Sequence, residues 1–157
     1  MRLFHGSLQI IDSPRILLPN RTLDFGSGFY TTSSFEQAKR WVRQKMDEDV
    51  KVGYVSEYEW NEDAELDILS FPSANHDWVS FVLKNRTQLG FEHGHDVVRG
   101  PVANDRVYAA FALFEQGFLH EDALIRELRT YQLVDQVLFH TERSLSSLCF
   151  IKYTEVK

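Results

Sequence analysis

Apolar and polar residues alternate with a period of two over residues 54–60. Tyr54, Ser56, Tyr58 and Trp60 fall on one side, and Val55, Glu57 and Glu59 on the other. That period predicts a β-strand. After Ser33 the period lengthens: Phe35, Ala38, Trp41, Val42 and Lys45/Met46 recur at helical spacing to about Asp47, and Ser33 with Glu36 has the spacing of a capping box. A second helical pattern covers residues 73–86 through Trp78, Phe81, Val82 and Asn85. A third starts near Asn104. Its apolar Val107, Tyr108, Phe111, Ala112, Leu113 and Phe114 cover most of the circumference and predict a well-buried helix. Residues 122–128 predict a short fourth helix and residues 142–148 a helical turn. Short strands are predicted over residues 3–7, 66–69, 96–99, 136–141 and 149–154. A further strand follows the glycine-bent segment Asp24-Phe25-Gly26-Ser27-Gly28-Phe29-Tyr30-Thr31-Thr32, and Pro14 and Pro19 mark a loop before it. Strands and helices do not alternate strictly, so the expected class is α+β.

The 157 residues show no repeat, low-complexity tract or Pro/Gly/Ser linker, which predicts one domain over residues 1–157. With 12 Phe, 6 Tyr and 3 Trp the chain is too aromatic to stay disordered. Its net charge of −6 argues against a broad nucleic-acid backbone footprint. Cys149 has no second cysteine to pair with, and its run Leu148-Cys149-Phe150-Ile151 predicts an inert thiol in the core. Reducing, cytoplasmic conditions fit that usage. The N-terminus has no long apolar stretch and nowhere do 18 apolar residues run together, so neither a cleaved signal nor a membrane span is expected.

Several catalytic patterns are excluded. Gly26-Ser27-Gly28 lacks the third glycine, the following helix and the downstream acid of a dinucleotide fingerprint, and there is no P-loop or Gly-x-Ser-x-Gly elbow. His93-Gly94-His95-Asp96 has metal-like spacing but reads as a glycine-containing surface loop, and no metal is expected. Glu57 and Glu59 read as a solvated strand face. This leaves His5 at the end of the first strand and Tyr30 beside the glycine segment, each of which also has a plain structural reading.

Leu3-Phe4-His5-Gly6-Ser7, the segment from Asp24 to Thr32, and the helix around Ala38 and Trp41 resemble an uncharacterised bacterial family of the ADP-ribosyltransferase clan. The resemblance continues through Trp78-Val79-Ser80-Phe81-Val82 with Asn85-Arg86, Asp96-Val97-Val98-Arg99-Gly100-Pro101-Val102-Ala103-Asn104-Asp105, and Asp135-Gln136-Val137-Leu138-Phe139-His140-Thr141-Glu142. It implies a single α+β domain of split, bent antiparallel sheets with flanking helices. In the clan's diphtheria-toxin-like and poly(ADP-ribose)-polymerase-like branch, a His, a Tyr and a Glu hold NAD and split its nicotinamide bond. His5 would bond a ribose hydroxyl, backbone beside Gly6 would hold the nicotinamide amide, and Tyr30 would stack on the ring. The implied NAD contacts are His5, Gly6, Ser7, Gly28, Phe29, Tyr30 and Thr31. The resemblance further implies transfer of ADP-ribose to a macromolecular acceptor and, because such proteins look like toxins encoded beside antitoxins, an antitoxin partner.

At the place of the acid stands Gln136, a neutral amide that can bond a ribose hydroxyl, though a polar residue opening a strand reads equally well. Strand alternation would set Gln136, Leu138 and His140 on one face. Asp105 is the other acidic candidate; Asn104-Asp105 also reads as a helix start. Asp24 would line the pocket, and Arg99 would pair either an NAD phosphate or a surface acid. Three rivals stand beside transfer: NAD hydrolysis, a non-catalytic NAD or ADP-ribose sensor, and an interaction protein exposing Trp60 and Phe71 to a partner.

Overall fold

Two small sheets pack face to face with helices on both outer sides. The computed structural model describes residues 1–16, 24–88 and 91–157, apart from the side chain of Asp105, so Pro19 lies outside the described residues. Along the chain run β1 (Arg2–Ser7), β2 (Phe29–Thr31), α1 (Phe35–Lys45), β3 (Gly53–Trp60), β4 (Ile68–Ser70) and α2 (His76–Thr87). Then come β5 (Val97–Pro101), α3 (Asp105–Glu115), α4 (Glu121–Arg129), β6 (Asp135–Phe139), α5 (Glu142–Leu145) and β7 (Leu148–Val156). The first sheet has the order β1-β3-β7 and the second β2-β6-β5-β4. All pairings are antiparallel except β4 with β5, which is parallel, so the expectation of purely antiparallel sheets is corrected.

Alternation along the strands builds the layers. Leu3, Tyr58 and Trp60 of the first sheet meet Phe29, Val97, Val137 and Phe139 of the second in an apolar layer between the sheets. On the outer face of the first sheet, Val55 and Val156 pack against Ala38 and Val42 of α1. On the outer face of the second, Val98 and Leu138 pack against Trp78, Val82, Val107, Phe111, Leu124 and Leu128 of α2, α3 and α4. The architecture is therefore mixed α+β in a single domain. No helix among the described residues is long and apolar enough to cross a membrane.

Four local expectations are corrected. Ser34, not Ser33, caps α1 by accepting from the Gln37 amide, because Ser33 is drawn away to the Asp135 carboxylate. The α3 helix buries only Val107, Ala110 and Phe111, while Tyr108 and Leu113 are exposed, since the sheet covers it from one side. Cys149 is exposed, because β7 is an edge strand of the first sheet. Trp60 and Phe71, offered as exposed docking aromatics, are 1% and 8% exposed and belong to the core. The Asn104 side chain does cap α3, accepting from the Val107 amide at 3.1 Å.

Candidate functional site

Among the described residues one isolated backbone bridge links the two sheets, Phe4 with Thr32, in which each amide donates to the other's carbonyl at 2.8 and 3.0 Å. Phe4 therefore turns its N–H and C=O away from β3 toward β2. Strand alternation turns those of Gly6 the same way. Among the described residues no backbone bridge follows Phe4–Thr32 on that side of β1, so the N–H and C=O of Gly6, a buried residue, lie on the side of β1 away from β3. Its small size is required there, because a Cβ would run into the backbone carbonyl of Ala38 on α1. The Gly6 carbonyl accepts from Lys45 Nζ at 2.7 Å.

His5 spans the opening. Its Nδ1 lies 2.7 Å from the Tyr30 carbonyl, and its ring stacks on Phe29 with centroids 4.4 Å apart. A carbonyl only accepts, so Nδ1 carries the hydrogen. Burial, with Lys45 adding to it, lowers the His5 pKa to about 4. The ring is thus neutral near pH 7, and Nε2 is a lone-pair acceptor suited to a hydroxyl.

Tyr30 is held by its own loop. Its hydroxyl donates to the Gly26 carbonyl at 2.7 Å and accepts from the Phe25 amide at 3.3 Å. Gly26 has φ of 87°, a conformation that favours glycine. Two histidines whose local sequence predicts only a surface loop and a strand complete the clamp. His93 Nε2 donates to the Phe25 carbonyl at 3.3 Å and His140 Nδ1 to the Ser27 carbonyl at 2.6 Å. Three successive carbonyls, from Phe25 to Ser27, thus each receive one side-chain donor. The His93 and His140 rings meet edge to face at 3.9 Å, and burial first, then the neighbouring His93, pushes the His140 pKa to about 3.

His5 and His140 give the fold a testable pH dependence. Their folded pKa values lie below the unfolded value near 6.5, so the unfolded chain binds the extra protons. Their contribution is complete above about pH 6.5 and is lost progressively as pH falls toward about 4 for His5 and about 3 for His140. Denaturant midpoints measured from pH 7.5 to 4.5 should fall with acid, and His140→Gln should make that slope shallower by about 1.4 kcal/mol per pH unit where one proton uptake is removed. An unchanged slope would contradict the neutral His140 assignment.

Gln136 lies on β6 opposite Gly100, two residues from Leu138, which pairs with Tyr30. It therefore shares a sheet face with Tyr30, as alternation predicts. The residue is 4% exposed, and its Nε2 has no hydrogen-bond partner among the described residues. His5 packs on the opposite face, with Phe29, so the structure joins His5 to the backbone of Tyr30 and Gln136 to the Tyr30 face without joining His5 to Gln136. The adjacent Asp135 is committed, accepting from the Ser33 hydroxyl at 2.6 Å and its amide at 3.1 Å.

The remaining expected contacts divide. Ser7 accepts from the Gln9 amide at 3.1 Å. Thr31 is fully buried and gives its hydroxyl to the Val137 carbonyl at 2.7 Å, a bond that locks β2 to β6. Phe29 is buried beneath His5 and supports that ring. Gly28 allows β2 to pass close to the Phe139 carbonyl. Asp105 opens α3, and its side chain lies outside the described residues. Asp24 is 8% exposed, accepts from the Tyr108 hydroxyl at 2.9 Å, and has its carboxyl raised by burial. Arg99 pairs with Glu62 at 3.4 Å and lies over the Trp60 ring.

Within His93-Gly94-His95-Asp96 the surface-loop reading needs correction at its end. Asp96 is 5% exposed and accepts from Arg143, the Thr141 hydroxyl and the Asp67 amide. Among the described residues no three His, Cys, Asp or Glu side chains come together to hold a metal.

With the glycine edge, the histidine and the clamped loop all drawn from segments within residues 1–150, the family match over that same range has a structural meaning. The chain belongs to the DUF3990 family. That family is described as proteins of unknown function, and no curated protein matches the chain.

Proposed function

We propose that this protein binds NAD in the opening between β1 and β2 and transfers its ADP-ribose to a macromolecular acceptor. The observation that carries the reading is the backbone N–H and C=O of Gly6 on the side of β1 away from β3, the C=O held at rest by Lys45, beside a neutral His5 whose Nε2 accepts. A planar carboxamide offers a matching acceptor and donor, and a ribose hydroxyl offers the hydrogen that Nε2 takes. The Tyr30 ring, pinned at its hydroxyl to the loop, supplies a flat surface for the nicotinamide.

In the proposed reaction the bond between nicotinamide nitrogen and ribose C1′ breaks, and both electrons leave with neutral nicotinamide. The sugar passes through an oxocarbenium-like state that the acceptor nucleophile then captures. The protein's part is orientation and placement of dipoles where charge develops. Gln136 suits that part. Its buried amide donor is unsatisfied in the protein, a situation that costs about 1–3 kcal/mol, and a ribose hydroxyl oxygen that reaches it recovers this energy. Because Gln136 is neutral and Asp135 is occupied, a sensor that binds NAD without cleaving it is the second reading.

The deciding experiment is nicotinamide release from NAD by the wild type and by a His5→Ala, Tyr30→Ala double variant whose folding is checked by circular dichroism. The wild type should release nicotinamide and the variant should be slower by about a hundredfold or more. Calorimetric binding of NAD that depends on Tyr30, with no release, would favour the sensor. Absence of both binding and release would overturn the proposal.

A further inference from the structure

Lys45 is the last residue of α1, with an exposed side chain whose ammonium reaches back to the Gly6 carbonyl at 2.7 Å. It lies close enough to His5 to add to the lowering of that residue's pKa. The carbonyl it occupies is the acceptor that a ligand carboxamide needs for its N–H, so the lysine stands where that donor would stand. An ammonium moved off this carbonyl takes water if the incoming ligand is uncharged. It takes a far better acceptor if the ligand also carries phosphate oxygens.

Resting on the NAD reading of the same opening, we propose that Lys45 sets ligand selectivity there: it competes with a free carboxamide and becomes the counter-charge for the diphosphate of a dinucleotide. A single side chain would then disfavour released nicotinamide and favour intact NAD. The side chain as a whole is exposed, and its flexible stem gives the ammonium room to move from carbonyl to phosphate.

Lys45→Met keeps the apolar stem and removes the charge. Calorimetric titrations of wild type and variant with nicotinamide and, separately, with ADP-ribose use the two fragments, so turnover does not interfere. Nicotinamide should bind the variant about threefold to tenfold more tightly and ADP-ribose about threefold to tenfold more weakly. General damage would weaken both, so the crossed shift marks the selectivity role. Lys45→Arg should retain ADP-ribose binding. Unchanged or weaker nicotinamide binding by Lys45→Met overturns the role of Lys45 alone. If neither fragment binds either protein at millimolar concentration, the NAD reading fails and this inference fails with it.

Discussion

Gln136→Leu is expected to be at least as stable as the wild type and to lose nicotinamide release from NAD by about a hundredfold or more. Gln136 is 4% exposed, with an amide nitrogen that no described group accepts from. Leu has similar volume and no donor, so the substitution removes a desolvation penalty of about 1–3 kcal/mol without opening a cavity. Retaining Gln at a cost to stability is what a binding or catalytic role requires. Denaturant unfolding and nicotinamide release measured on the same preparation separate the two effects. A variant that is markedly destabilised would show that Gln136 has a structural partner, and one that is stable and fully active would remove Gln136 from the site. Gln136→Ala is a weaker probe, because it also leaves a cavity.

Asp96→Ala should lower stability by about 1–3 kcal/mol at pH 7, a fall in Tm of about 2–12 °C. The carboxylate ties two distant parts of the chain together: α5, through Arg143 and the hydroxyl of its cap Thr141 at 2.7 Å, and the segment before β4, through the Asp67 amide at 2.9 Å. Arg143 first, then the Asp67 amide, holds the Asp96 carboxyl down at about 2. Its folded pKa lies below the unfolded value, so the contribution is present above about pH 4 and is lost as pH falls toward 2. The stability gap between wild type and Asp96→Ala should therefore narrow with acid over that interval. A gap that is small at pH 7, or that stays constant into acid, would refute the assignment.

Much of the secondary structure was legible because local patterning and burial agree. The alternation over residues 54–60 became β3, and the helical spacing after Ser34 became α1. Where they disagreed, the cause was a partner distant in the chain. Ser33 has the better capping spacing, yet Asp135 captures it across 102 residues, and Ser34 takes over the cap. Cys149 sits in an apolar run but on a sheet edge, where one side has nothing to pack against. The apolar circumference of α3 was read as burial, although only one of its sides faces the sheet.

For the candidate site, the chemistry of single residues was visible and their company was not. That His5 can be a neutral acceptor follows from its type, but that it is one follows from burial on Phe29 and the bond to the Tyr30 carbonyl. His93 and His140 stand 47 positions apart, and no local spacing indicates that they flank the Tyr30 contact on three successive carbonyls. Residue types, periodicity and charge were enough to establish an α+β pattern, strand alternation that sets Gln136 on the face of Leu138, and the need for glycine in the loop before β2. Those properties depend on neighbours a few residues away. The one-bridge contact of β1 with β2, the Gly6 backbone facing away from β3, the Lys45 bond and the unsatisfied Gln136 amide came only with the folded chain, because each depends on which strands pair and where pairing stops, and that is decided by the packing of both sheets on a shared core.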